Sequence, residues 1–322
     1  MSDITQLQGD IVAGFKMLRL LGRGGNGAVY LARQLSVDKI AACKILFPHL
    51  VSDPVYIKNF VHEARLAARL EHPNIIQALD VGCDGNLSYF IMEYVPGKSL
   101  EKIRTTEPER ITLPFLLDIS ISLAGALDHA WKKFKIFHGD IKPDNLLIRD
   151  GDGILKLADL GLAKIVGKDD LATDIMATPL YASPEVILAD ASNIGIKSDI
   201  YSFGIMLYEL LTGKAPFRGN VESVLRQHVD KDPVPLEKAS PGLDRELAAF
   251  INRMIVKAPA DRPHDWEEIK NVLQQIRARI PDGGKKRKSF RRTTGKQIFS
   301  LLLSIIFLIL AAGIIFILFK FI

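Results

Sequence analysis

Cysteine is nearly absent from this 322-residue chain. The two thiols, Cys43 and Cys83, cannot build a disulfide framework. That sets aside small cross-linked extracellular folds and suits a reducing compartment. The start, Met1-Ser2-Asp3-Ile4-Thr5-Gln6, is polar and lacks the apolar run of a secretory signal. No internal repeat is visible. Acidic residues are scarce toward the other end: from Pro281 to Ile322 only Asp282 opposes Lys285, Lys286, Arg287, Lys288, Arg291, Arg292, Lys296 and Lys320. This segment carries +7 of a total of +5, leaving −2 for the rest. The basic balance therefore belongs to a tail, and a nucleic-acid-binding body is not implied.

The most informative stretch is His138-Gly139-Asp140-Ile141-Lys142-Pro143-Asp144-Asn145, which follows an apolar helical pattern over 113–136. Phosphoryl transfer needs a carboxylate to orient the attacking hydroxyl, a cation on the moving phosphate and an oxygen ligand for a divalent metal. Asp140, Lys142 and Asn145 offer these three groups from one loop. The same residue types also crowd ordinary turns, so the neighbouring pieces must decide.

Those pieces lie in order along the chain. Residues 15–46 read as three strands, with Gly22-Arg23-Gly24-Gly25-Asn26-Gly27 joining the first to the second. A glycine loop between two strands differs from a Rossmann or Walker loop, each of which opens a helix. Gly22, Gly24 and Gly27 allow the backbone to cover phosphates closely. Lys44 sits on the third strand among apolar residues and should have an anionic partner. Residues 54–70 have helical spacing and contain Glu63, the chosen partner, with Glu71 the nearby alternative and His62 an ordinary surface histidine. Two further strands follow near 76–81 and 87–92, then a short hairpin around Asp150-Gly151-Asp152-Gly153 that presents Asp159-Leu160-Gly161. The remainder to Arg279 reads as helical, broken at Pro233, Pro235, Pro241 and Pro259.

In combination these motifs resemble those of Hanks-type (eukaryotic-like) serine/threonine protein kinases of the bacterial membrane-anchored kind, from about Phe15 to Arg279. The resemblance implies an α+β, two-lobed protein kinase fold: a small mainly-β N-lobe with one helix and a larger mainly-α C-lobe. The kinase domain would span 10–280, with the N-lobe over about 10–92, a hinge at 93–97 and the C-lobe over 98–280. It implies ATP as phosphate donor and Mg²⁺, with Mn²⁺ as a substitute. Lys44 would hold the ATP phosphates and Glu63 would hold Lys44. Asp140 would be the catalytic carboxylate, and Asn145 and Asp159 the metal ligands. The backbone of Glu93 and Val95 would pair with adenine, Met92 would stand at the rear of the pocket, and Val29, Ala42 and Leu147 would sandwich the ring. Residues 159–185 resemble an activation segment holding Thr173 and Thr178, with Lys142 and Thr178 around the acceptor hydroxyl. Glu185 would pair with Arg262, and Asp199 would hold the backbone of the central loop.

Three positions depart from the family pattern. Leu160 replaces the commoner phenylalanine, a change of size within an apolar contact. Ala177 stands where glycine is common. Gly139 matters more: the family commonly has arginine there, gripping a phosphate on the activation segment. Without that guanidinium, activity is expected to depend less on activation-segment phosphorylation.

The tail contributes a basic linker over 281–297 and an uncharged apolar span over 298–319, longer than the about 20 residues that cross a bilayer. The basic flank predicts a single-pass anchor in the cytoplasmic membrane with the catalytic part in the cytoplasm, near anionic lipid. The expected partners are protein substrates, membrane lipid and a second copy for trans-autophosphorylation, with no nucleic acid. The expected activity is ATP-dependent phosphorylation of protein serine or threonine. The alternative is a membrane-anchored pseudokinase that binds nucleotide without transferring phosphate; a small-molecule kinase on the same fold is a third reading.

Overall fold

The computed structural model describes residues 4–25, 27–51, 54–159, 164–165 and 178–281, while the side chains of 54–56, 59, 63 and 164–165 lie outside that description. Leu160, Thr173, Ala177, the basic linker and the apolar span expected over 298–319 therefore fall outside it as well.

The N-lobe is built on one antiparallel sheet. Its strands are β1 (Ile11–Val12), β2 (Phe15–Arg23), β3 (Gly27–Gln34), β4 (Lys39–Leu46), β5 (Ala78–Asp84) and β6 (Leu87–Glu93), in the spatial order β1-β2-β3-β4-β6-β5. Alternation along β3 and β4 sends Ala28, Tyr30, Ala32, Ala41, Cys43 and Ile45 to one face, all buried. The amino-terminal segment closes this face: Ile4 and Leu7 pack into the same core, and the Tyr30 hydroxyl donates to the Ile4 carbonyl at 2.8 Å. Register places Val29, Lys44 and Phe90 in one row across the sheet, with Ala42 beside Met92, all on the opposite face. Helix α1 (Pro48–Val51) leads to helix α2 (Pro54–Arg69), whose Phe60, Ala64 and Ala67 pack on that second face against Leu46 and Phe90. Lys44 is thus on the side of the sheet that α2 covers. Gly27 is required by the sheet itself, since a Cβ there would stand 2.1 Å from the Ile45 carbonyl oxygen.

The C-lobe begins with β7 (Gly97–Ser99) and continues through α3 (Leu100–Thr106), α4 (Leu113–Phe134), β8 (Ile136–Phe137), β9 (Leu146–Arg149), β10 (Leu155–Leu157), β11 (Lys164–Ile165) and α5 (Pro184–Ile187). Helices α6 (Ile196–Thr212), α7 (Val221–Asp230), α8 (Leu236–Ala239), α9 (Arg245–Met254) and α10 (Trp266–Arg279) complete it. By length and composition α4 could cross a membrane, yet half of its apolar window is buried within the protein. Its Leu116, Leu117, Leu123 and Leu127 belong to the lobe's core. The helical pattern runs on to Ile136, but α4 stops at Phe134 because Lys135 turns left-handed at φ 57°. Ile136 and Phe137 instead pair with β11. Strand β7 is too short for any periodic signal; it exists because β9 offers it an edge.

Helix α6 lies at the centre. Nearly every residue from Ile196 to Leu210 is buried, polar ones included, as expected of a helix enclosed on all sides. Beside it Glu185 meets Arg262 in a two-pronged ion pair at 2.7 and 2.9 Å, both side chains fully enclosed. The guanidinium also donates to the carbonyls of Val256, Lys197 and Lys257, and it lies 4.8 Å from the centre of the Tyr201 ring. Ser198 Oγ donates to the same carboxylate at 2.7 Å. Removing the carboxylate alone leaves a buried cation without its counter-charge. Glu185→Ala is therefore expected to destabilise the chain by about 3–5 kcal/mol, read as a lowered urea midpoint with an unchanged slope.

Candidate active site

The loop that joins β8 to β9 places the central residues. Its backbone is held from below by Asp199 on α6, whose two carboxylate oxygens accept from the His138 and Gly139 N–H groups at 2.6 and 2.8 Å. Burial pushes the Asp199 carboxyl up to about 6, against the opposing pull of His138 and the two N–H donors. Gly139 adopts φ 80°, a left-handed conformation that side chains resist. The glycine that stands in place of arginine is therefore matched to the backbone it occupies.

Asp140 is the centre of the hydrogen-bond network and is nearly buried. Its Oδ2 accepts from Lys142 Nζ at 2.5 Å and from Asn145 Nδ2 at 3.2 Å. Its Oδ1 accepts from the Thr178 hydroxyl at 2.7 Å, and Lys142 Nζ also donates to that hydroxyl at 2.8 Å. A carboxylate, an ammonium and a threonine hydroxyl thus converge from two segments that are 38 positions apart. Asn145 Nδ2 donates again, to the Asp140 carbonyl at 2.8 Å, which leaves the amide Oδ1 for other work.

Asp159 is carried on the residue after Ala158, and Ala158 is fixed at both polar atoms. Its N–H donates to the Asn145 carbonyl at 2.9 Å, and its carbonyl lies 3.2 Å from His138 Nε2. The Asp140 N–H can only donate, so His138 Nδ1, at 3.2 Å, accepts, and Nε2 carries the ring proton toward Ala158. Asp159 then turns left-handed at φ 60°, strain of the kind found at working sites. Its Oδ1 meets Lys44 Nζ at 3.2 Å. The Lys44 ammonium beside it holds the Asp159 carboxyl below the usual carboxylate range. The Asn145 amide oxygen, just before β9, and the ionised Asp159 carboxylate, just after β10, are hard oxygen donors beside two paired strands, a set suited to Mg²⁺.

The other expected residues fall as follows. Gly22 ends near the tip of the β2–β3 hairpin, and Gly24 N–H donates to the Gly27 carbonyl at 2.9 Å. A Cβ at Gly22 or Gly24 would meet nothing within 4 Å, unlike Gly27, so only the first two leave room above the loop. Val29 and Ala42 share the sheet face of Lys44, while Leu147 lies on β9 and is half-buried. Glu63 is on α2, and its side chain lies outside the described residues. At Glu93 the backbone N–H is already spent on the Gln77 carbonyl at 2.9 Å.

Four residues with a part in this arrangement escaped the sequence reading. His138 was visible only as the first residue of the loop. Lys156, nearly buried, donates to Glu93 at 2.8 Å and ties β10 to the lobe connection. Tyr181 donates its hydroxyl to Glu209 at 2.6 Å, and burial, then that carboxylate, raise its pKa and keep it protonated. No spacing rule links positions 28 apart, so sequence held no signal for that pair.

With this geometry in view, the comparisons agree. Residues 15–275 match the protein kinase domain family. The chain is 34% identical over 266 residues to a probable serine/threonine-protein kinase of Clostridium acetobutylicum, covering 82% of this chain and 40% of that protein. It is 33% identical over 271 residues to the serine/threonine-protein kinase PknB of Mycobacterium tuberculosis, covering 81% and 42% respectively. It is similar to the crystal structure of the Mycobacterium tuberculosis PknI kinase domain, with a TM-score of 0.64 at 26% identity, covering 83% of this chain and 98% of that one. The fold is the two-lobed kinase fold, and the chain belongs to the protein kinase domain family. It spans about two fifths of the length of these two curated relatives.

Gly139→Arg would restore the residue common in the family at a backbone position hostile to it. It is expected to cost about 1–2 kcal/mol of stability and to lower phosphate transfer as well, because the strain falls next to Asp140. Urea unfolding and turnover of the same preparation check both.

Proposed function

We propose that the chain transfers the ATP γ-phosphate to serine or threonine hydroxyls of proteins. The observation that carries this reading is the convergence of Lys142 and the Thr178 hydroxyl on Asp140. An incoming alcohol can take a place beside Asp140, which orients it and accepts its proton as the oxygen attacks. Lys142, within reach of the same point, stabilises charge on the moving phosphate. Lys44 holds the donor phosphates from the sheet above. Asn145 and Asp159 would hold the divalent metal, which when bound neutralises charge on the phosphate oxygens. The ring of adenine would lie between Val29 and Ala42 above and Leu147 below, with the Glu93 carbonyl and Val95 N–H at its edge. The kinase domain would cover 10–280, with activity depending less on phosphate at Thr173 of the activation segment, because Gly139 offers no guanidinium to grip it.

We further infer a membrane anchor. The span over 298–319 carries no charge, and seven Lys or Arg residues precede it from Lys285 to Lys296. Such a flank favours the cytoplasmic side, which keeps the kinase domain with cellular ATP.

Incubation of the purified chain with labelled ATP, Mg²⁺ and a generic basic protein is expected to give phosphoserine or phosphothreonine. Lys44→Ala and Asp159→Ala should each lose this by at least about a hundredfold while retaining the wild-type circular dichroism spectrum. Wild-type turnover in either would refute the site. Alkaline carbonate washing of membranes should leave the full chain in the pellet and release a chain cut at Pro281; a full chain found in the wash would exclude the anchor.

A further inference from the structure

The segment that carries Thr178 toward Asp140 is held along its length. The Tyr181 N–H donates to the Thr178 carbonyl at 2.9 Å, which closes a turn. The Tyr181 carbonyl accepts from Ser202 Oγ on α6 at 2.8 Å, and its hydroxyl reaches Glu209. One further grip comes from α7. His228, fully enclosed, places Nε2 at 3.2 Å from the Leu180 carbonyl and Nδ1 at 2.9 Å from the Tyr201 hydroxyl. A carbonyl only accepts, so Nε2 carries the proton, and a neutral ring then accepts from Tyr201 at Nδ1.

The groups that surround this ring favour that form. Phe217 stands edge-on with its centroid 4.8 Å away, and Tyr201 does so at 5.7 Å. Lys257, from beyond α9, donates to the His228 carbonyl at 2.8 Å. Burial and then the Lys257 ammonium pull the imidazole pKa down to about 4, so the ring stays neutral near pH 7. Leu180 itself is held by its carbonyl but turns its side chain outward, 39% exposed. It lies only two residues from Thr178, at most about 7 Å along the chain, and Thr178 touches the catalytic carboxylate.

We infer that His228 is a positioning residue for the protein substrate: by holding the Leu180 carbonyl it fixes the segment that brings Thr178 beside the acceptor hydroxyl. The inference rests on the kinase reading above. It concerns the acceptor side alone, because His228 acts through Leu180 and none of its described contacts reaches Lys44, Asn145 or Asp159.

Two substitutions separate the two ring nitrogens. His228→Gln can bring an amide N–H to where Nε2 stands, whereas His228→Asn reaches only as far as Nδ1. His228→Asn is expected to raise the KM of the protein substrate about tenfold, the worth of one lost hydrogen bond at a docking surface, with the KM of ATP unchanged. His228→Gln should return it to near the wild-type value. A protein-substrate KM within twofold of wild type in His228→Asn would overturn the proposal, and so would an equal rise in both KM values. Amide hydrogen exchange on the same proteins needs no catalysis: the Tyr181 amide should exchange about tenfold faster in His228→Asn than in wild type, with the core of α6 unchanged. Unchanged exchange at Tyr181 would overturn the proposal even if KM moved. Absence of any phosphate transfer by the wild-type chain would instead refute the kinase reading, and the exchange measurement would still decide what His228 holds.

Discussion

Asp199 grips the backbone of the loop that carries Asp140, and much of the candidate site depends on that contact. Two N–H groups, of His138 and Gly139, reach one buried carboxylate on α6. The left-handed turn at Gly139 follows from it, and this turn delivers Asp140 to its partners. The other polar side chains of α6 act in the same manner. Ser198 holds Glu185, Ser202 holds the Tyr181 carbonyl, Tyr201 holds His228, and Glu209 holds the Tyr181 hydroxyl. An apolar helix would pack as well, but it could not orient loops. Buried hydrogen bonds made from one rigid element give each segment a single geometry, since leaving any of these groups unpaired would be costly.

The upper lobe meets this framework through a few backbone contacts. After α2 the chain crosses to β10, where the Ile76 N–H donates to the Leu157 carbonyl at 2.9 Å and the Leu157 N–H donates to the Asn74 carbonyl at 2.8 Å. Asn74 Nδ2 adds a bond to the Leu155 carbonyl. Strand β10 leads directly to Asp159, so the element that receives the upper lobe also carries the residue facing Lys44. The ion pair of Lys156 with Glu93 strengthens the same junction from the side of the lobe connection. A shift of the sheet relative to α4 would therefore be felt at Lys44 and Asp159 together.

Strain collects where the chemistry is proposed. Asp159 and Gly139 both occupy left-handed backbone, one with a side chain and one without. Each is held by neighbours that are themselves fixed, Ala158 by two hydrogen bonds and Gly139 by Asp199. Such conformations persist only when the surroundings over-determine them. That explains why the proposed reacting groups lie on loops while their supports lie on α6 and the strands.

The sequence by itself carried the order of the elements and the chemistry of the central stretch. Strand alternation over 15–46, the turn residues and the apolar pattern of α4 were all local, and local periodicity is what a sequence displays. The residues Asp140, Lys142 and Asn145 were legible for the same reason, as they lie within one short loop. Short β7 and the early end of α4 were not, since the edge offered by β9 and the left-handed Lys135 belong to three dimensions. Only the tertiary structure decided that Thr178 bonds to Asp140, that Tyr181 meets Glu209 and that His228 holds Leu180. Those partners are brought together by packing around α6, and no spacing along a chain encodes a contact that the fold of the whole lobe creates.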